Sequence, residues 1–273
     1  MANWDHLDSR GNVEDRRSFG PAALGGGLGV AGVVIVAAIQ LLGGADVLDV
    51  ISRIDPSQLQ SPAVSETGEF EGQDSYEVFA STVLGSNNDL WTGVFVANNQ
   101  TYQAPKLVLF RGATQSACGG ATSEVGPHYC PLDSIIYLDE TFFDELRTRF
   151  AAKGGDVAEA YVIAHEVGHH VQNLRGTIDN ARDNDSSIKT ELQADCFAGM
   201  WAHSIRDRNV FEPGEIAEAM DAAAAVGDDR IQKATTGRVH PETWTHGSSA
   251  ERVRWFTRGF ETGSIANCNT FVE

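Results

Sequence analysis

The chain reads as a mostly helical α+β protein with a small sheet, preceded by one N-terminal transmembrane helix. Three observations predict this. Apolar residues recur at helical spacing through most of the second half. Two short apolar runs of strand composition lie between Pro105 and Asp139. Residues 22–45 carry no charged side chain.

At ~1.5 Å of rise per residue, a run of that length can cross a hydrocarbon core of about 30 Å. The 273 residues therefore divide into an N-terminal segment (1–21), a transmembrane anchor (22–45), a linker (46–74) and a single domain (75–273). Arg10, Arg16 and Arg17 precede the run and only Arg53 follows it closely, so the positive-inside rule predicts a cytoplasmic N-terminus and a domain outside. A cleavable signal ending near Gly43-Gly44-Ala45 is one alternative, but the run is long for that role. Arg16-Arg17-Ser18-Phe19 resembles part of a twin-arginine export signal, with Asp15 and Gly20-Pro21 as poor flanks. The linker mixes Pro, Ser, Gln, Gly and acids, a composition that stays solvated.

The domain opens with Tyr76, Phe79, Val83 and Leu84 at helical spacing, and a second helical piece is expected over 90–97. Residues 106–110 and 134–138 read as strands, with a Gly-rich loop between them. A helix over 141–152 follows, broken by Gly154-Gly155. Asp156 is the expected N-cap of the next helix, which ends at Gly176. Another helix spans roughly 187–206 and an Ala-rich one follows Pro213. The last is opened by Ser248 and Glu251 in capping-box spacing.

A formal charge of −18 without a basic stripe excludes nucleic acid as a partner. Cys118, Cys130, Cys196 and Cys268 lack the CxxC spacing of a zinc ribbon and suit an oxidising compartment. Among three connectivities the favoured one pairs Cys118 with Cys130 and Cys196 with Cys268; buried free thiols are the alternative.

The chemistry concentrates in His165-Glu-Val-Gly-His169. Residues four apart share a helix face, so both imidazoles can address one ion while Glu166 reaches water beside it. The flanking Val162, Ile163, Val167 and Val171 are apolar, as a buried helix bearing one polar site requires. A metzincin would continue with Gly at 172 and His at 175, where this chain has Gln172 and Arg175. Glu191 is the expected third ligand to a single Zn2+ ion. Asp195, one turn on, is the expected hydrogen-bond acceptor for a ligand histidine. His203, His240, Asp179 and Asp195 are the competing ligands.

HExxH followed by Glu191-Leu-Gln-Ala-Asp195 resembles the gluzincin arrangement. More closely, the chain resembles the bacterial predicted neutral zinc metallopeptidase family. The matching pieces are Asn12-Val-Glu-Asp-Arg-Arg17 before one span, Cys118, Tyr129-Cys130-Pro131 and Ile136-Tyr-Leu-Asp139. They continue with His165 to Gln172, Glu191 to Cys196 and Thr245-His-Gly-Ser248. The resemblance implies a membrane-anchored zinc hydrolase, here with a zincin-like metallopeptidase domain over 75–273.

The expected reaction is peptide-bond hydrolysis with Glu166 as general base. His246 is the candidate oxyanion donor, with Tyr137 as its rival. His170, turned away from His169, is expected to serve structure. The expected substrate is a peptide or unfolded protein, and the backbone of 134–138 is a candidate to hold it by strand addition. A catalytically silent zinc-binding envelope protein and a peptide-binding pseudoprotease are the alternative classes.

Overall fold

The computed structural model describes residues 1–17, 74–123, 125–178 and 183–272. The expected anchor at 22–45 lies outside the described residues, as does all of the linker but Asp74. Among the described residues no helix is long and apolar enough to cross a membrane.

Four strands form one sheet in the order β1 (Val13–Asp15), β2 (Lys106–Leu109), β6 (Ile135–Leu138) and β5 (His128–Cys130). β1, β2 and β6 run parallel, with Val13 opposite Leu107 and Leu107 opposite Ile136; β5 is antiparallel to β6 and forms the edge. β3 (Ala113–Ser116) and β4 (Gly119–Thr122) make a separate hairpin. The segment 134–138 is therefore an inner strand, its hydrogen bonds taken on both sides. It does not offer the free edge that strand addition requires; β5 does.

Helix α1 (Ser75–Ala97) is continuous rather than two pieces. Ser86 Oγ and Asn87 Nδ2 both donate to the Val83 carbonyl within the same helix. α2 covers Phe142–Arg149 and α3 covers Asp156–Leu174. The N-cap of α3 is Gly155 at φ 111°, not Asp156. The Asp156 carboxylate instead accepts from the Ala2 backbone N–H and from Trp4 Nε1, at 2.9 and 2.8 Å.

That contact belongs to a larger difference. The sequence sets 1–21 apart from a domain starting at 75, whereas residues 1–17 pack into the same body as 74–272. Leu7 and Val13 are buried and β1 completes the sheet. Gly11 lies so close to α1 that a Cβ there would sit 2.6 Å from the Ser81 carbonyl oxygen. Arg17 pairs with Asp74 at 3.3 Å, so the two described ends of the segment 18–73 stand together.

α4 (Asn184–Ile205) is capped by Asp183, which with Ser186 makes a capping box. α5 (Ile216–Ala225) and α6 (Asp228–Thr236) precede α7 (Ser249–Thr262), whose Ser248–Glu251 capping box is formed as expected. Both favoured cysteine pairs are disulfides, Cys118–Cys130 and Cys196–Cys268. Small residues set the spacing of the helices that matter most. A Cβ on Gly199 of α4 would collide with the Phe256 carbonyl of α7, and one on Gly259 with the Cys196 carbonyl. A Cβ on Gly168 of α3 would lie 3.0 Å from Ala194 Cα. These close approaches bring α3, α4 and α7 within reach of one another's side chains.

Candidate metal centre

α3 presents His165 and His169 on one face, and the Gly168–Ala194 contact lays α4 across that face. His165 Nε2 lies 3.1 Å from His169 Nε2 and 3.2 Å from Glu191 Oε2, and His169 Nε2 lies 3.3 Å from Glu191 Oε1. These three are a group able to hold a metal ion among the described residues.

The atoms fit such an ion on two counts. Bonds of ~2.0–2.1 Å in a tetrahedron separate the ligand atoms by about 3.3 Å, which is the spacing found. Further, the Nδ1 of His165 lies 2.9 Å from Asp195 Oδ1 and that of His169 lies 2.9 Å from Gln172 Oε1, so each ring proton has an acceptor behind it. Two bare Nε2 lone pairs and a carboxylate then converge on one point, an arrangement that a cation between them stabilises.

Asp195 is fully buried and its carboxylate is saturated. Oδ1 accepts from His165, from Tyr161 Oη at 2.5 Å and from Arg252 Nη2 at 3.0 Å; Oδ2 accepts from Arg252 Nε at 2.8 Å. Burial acts to raise its pKa, but the Arg252 guanidinium and then His165 outweigh burial and hold it below the ordinary range. For His165 burial acts downward and is outweighed by Asp195 and then Glu191, which hold it up to about 10 in the metal-free site. Burial likewise opposes, and His169 and His165 overcome, the charge of Glu191, whose pKa lies well below its ordinary value.

The group opens into a cleft of about 720 Å³, lined among others by Glu166, His246, Arg252, His128, Leu146 and Phe150. His246 stands on the 245–247 loop, which Asp228 organises. Oδ2 of Asp228 accepts the backbone N–H groups of Thr245, His246 and Gly247 at 2.8, 2.6 and 3.0 Å, and Oδ1 lies 3.2 Å from His246 Nδ1. The other candidates lie elsewhere. Tyr137 donates to Asp133, and His203 Nδ1 donates to the Phe260 carbonyl. His240 pairs with Glu242 on the surface, and Asp179 is outside the described residues. His170 donates from Nε2 to the Gln103 carbonyl and its Nδ1 accepts from Tyr129, a packing arrangement that burial reinforces by lowering its pKa.

Four residues around the site went unread in the sequence: Tyr161, Gln172, Asp228 and Arg252. Tyr161 had a signal, being one helical turn before His165. Arg252 had one too, since it shares the buried stripe of α7 with Trp255, Phe256 and Gly259, where a charge needs a buried partner. Gln172 enters the sequence reading as a departure from the metzincin pattern and as the end of the matching piece from His165, with no role of its own, and Asp228 acts on a loop distant in sequence.

Two histidines and a glutamate on crossed helices thus form a group able to hold a metal ion, open to a cleft. The chain belongs to the Zn_peptidase family, described as "Putative neutral zinc metallopeptidase", whose model matches residues 2–271. It is 41% identical over 286 residues to "Uncharacterized protein YpfJ" of Escherichia coli (strain K12), with 98% of each chain covered. It is 49% identical over 185 residues to "Uncharacterized protein Rv2575" of Mycobacterium tuberculosis, covering 62% of this chain and 63% of that one. No solved structure matches.

Proposed function

We propose that the protein is a zinc-dependent peptidase in which His165, His169 and Glu191 hold one zinc ion and Glu166 is the general base. The observation that carries this reading is the convergence of three metal-donor groups at 3.1–3.3 Å beside a cleft that Glu166 also lines. A zinc ion bound there supplies Lewis acidity, polarising a carbonyl and making water a better nucleophile. Glu166 takes the proton from the attacking water and delivers it to the leaving amine. His246, with Nδ1 held by Asp228, donates from Nε2 to charge developing on the carbonyl oxygen in its imidazolium form, in which both ring nitrogens carry protons. The free edge of β5, whose His128 and Tyr129 line the cleft, suits the backbone of an extended peptide, which favours unfolded segments as substrate.

The two disulfides favour an oxidising compartment outside the cytoplasmic membrane. Because residues 1–17 pack into the same body, we assign them to that compartment as well. The arrangement expected from the arginines, with the N-terminus cytoplasmic and the domain outside, requires 1–17 to leave the fold. If the apolar run 22–45 attaches the protein to a membrane, Arg17 and Asp74 lie at one face of it.

The deciding variant is Glu166→Gln. It is expected to keep its zinc and to lose chelator-sensitive cleavage of denatured protein by about 100-fold or more. Undiminished cleavage sinks the general-base assignment. Zinc binding without cleavage in the wild type, across a broad peptide library, replaces the enzyme with a zinc-binding protein of the same geometry.

A further inference from the structure

The side chain behind His169 is a neutral amide, and what fixes that amide lies far from the metal. Gln172 is fully buried. Its Nε2 is 2.7 Å from the Thr190 carbonyl and 3.1 Å from Gln193 Oε1. The Nε2 of Gln193 is in turn 2.8 Å from the Cys268 carbonyl. Carbonyl oxygens only accept, so the order of donors along this chain can be worked out from its ends.

The Cys268 carbonyl requires the Gln193 NH2 to face it, which turns the Gln193 oxygen toward Gln172. The Thr190 carbonyl and that oxygen together require both hydrogens of the Gln172 NH2. The Gln172 oxygen is then left to face His169 Nδ1 at 2.9 Å. An acceptor there fixes the proton on Nδ1 and leaves Nε2 bare, on the side where Glu191 and His165 converge. Cys268 is itself buried and tied to α4 by its disulfide to Cys196, so the far end of the chain cannot drift.

Accordingly, we infer that Gln172 and Gln193 are positioning residues for the metal site, forming a one-way hydrogen-bond relay that runs from the disulfide-anchored Cys268 carbonyl to His169. The inference rests on the zinc reading above and adds a division between the two histidines. His165 is backed by a carboxylate that is itself neutralised by Arg252. His169 is backed by an uncharged amide whose direction is set by backbone carbonyls. The relay leaves His169 an imidazole oriented without a further carboxylate, which a site already holding Glu191 and Asp195 would have to compensate.

The test is the zinc affinity of the full chain, measured by competition with a chromophoric chelator, together with the thermal stability of each metal-free variant. Gln172→Leu removes the acceptor and is expected to weaken zinc binding by about 10- to 100-fold. Gln172→Glu keeps an acceptor for the Nδ1 proton but loses both donor bonds. It is expected to hold zinc within about threefold of wild type while its metal-free form melts lower. A packing role predicts the opposite ranking, with affinity following stability, and that ranking overturns the proposal. Gln193→Leu leaves the Gln172–His169 contact in place and is expected to weaken zinc several-fold. Wild-type affinity in that variant overturns the relay, and it decides the matter if Gln172→Leu does not fold. A wild-type chain that binds no zinc removes the peptidase reading itself; a wild type that binds zinc no more tightly than Gln172→Leu removes only this inference.

Discussion

The helix pair α3–α4 and the N-terminal strand β1 are both built into the core, yet they were encoded in opposite ways. On α3 and α4 the sequence separation of functional groups is four residues or fewer within each helix, so helical periodicity alone brings His165 to His169 and Glu191 to Asp195. β1 has three residues and finds its partner more than ninety positions away, with Val13 opposite Leu107. Its pairing is written in no local period. The charged Asn12-Val-Glu-Asp-Arg-Arg17 stretch looks solvent-bound until its partners are known: Glu14 is buried and bonded to Arg16 and Lys106, and Arg17 is held by Asp15 and Asp74. Spacing reports local chemistry well; it is silent on what a distant strand completes.

The comparison breaks if the N-terminal region is dispensable. Deleting residues 1–17 removes the buried Leu7 and Val13, the Trp4 packing and the outer ladder of the sheet. The expected loss is roughly 5 kcal/mol or more, read as failure to fold or a collapse of the denaturant midpoint. A truncated chain of wild-type stability shows β1 to be an accessory. On the metal-site side the corresponding lesion is Arg252→Met, which strands the buried Asp195 carboxylate. A loss of about 3–5 kcal/mol is expected from removing one partner of a buried ion pair, and an effect below about 1 kcal/mol contradicts the network described.

A smaller effect sits near the junction of the two regions. Burial pushes the Glu159 carboxyl of α3 up to about 7 from 4.5. The folded state therefore keeps this proton where the unfolded chain has lost it. The contribution to stability is complete below about pH 4.5 and is lost as the pH rises through about 7, amounting to at most roughly 3 kcal/mol. Glu159→Gln is expected to flatten the fall in stability between roughly pH 5 and 8; an unchanged slope assigns that fall to other groups.

Topology sharpens the comparison without any change in stability. All four cysteines are in disulfides, so Ser9→Cys and Gln100→Cys each introduce a lone thiol at an exposed position. A membrane-impermeant maleimide applied to intact cells is expected to label both alike. Labelling of Gln100→Cys alone, with Ser9→Cys reactive only after lysis, restores the separated N-terminus that the arginines suggest.

Much of the fold was legible: the strands at 106–109 and 135–138, the helices of the second half, the Ser248 cap and both disulfides. Misreadings share a cause, in that a residue's local preference was overridden by a distant partner. Asp156 is a good N-cap by type but is drawn to Ala2 and Trp4. Residues 134–138 look like an available strand, yet β2 and β5 occupy both edges. Around the metal centre the donors that touch the ion point were readable from periodicity. Arg252 from α7, which holds the carboxylate behind His165, and Asp228 from α6, which holds the His246 loop, come from helices whose approach is set by glycine contacts and loop hydrogen bonds that no short motif records.

The central claim is that α3 and α4 together hold one zinc through His165, His169 and Glu191. It is tested most directly by the metal content of the purified full chain, wild type against Glu191→Ala, after identical dialysis. The account predicts about one zinc per wild-type chain and its loss in the variant, with the disulfides and helical content intact. Zinc retained undiminished in Glu191→Ala, or a wild type that carries none, contradicts it.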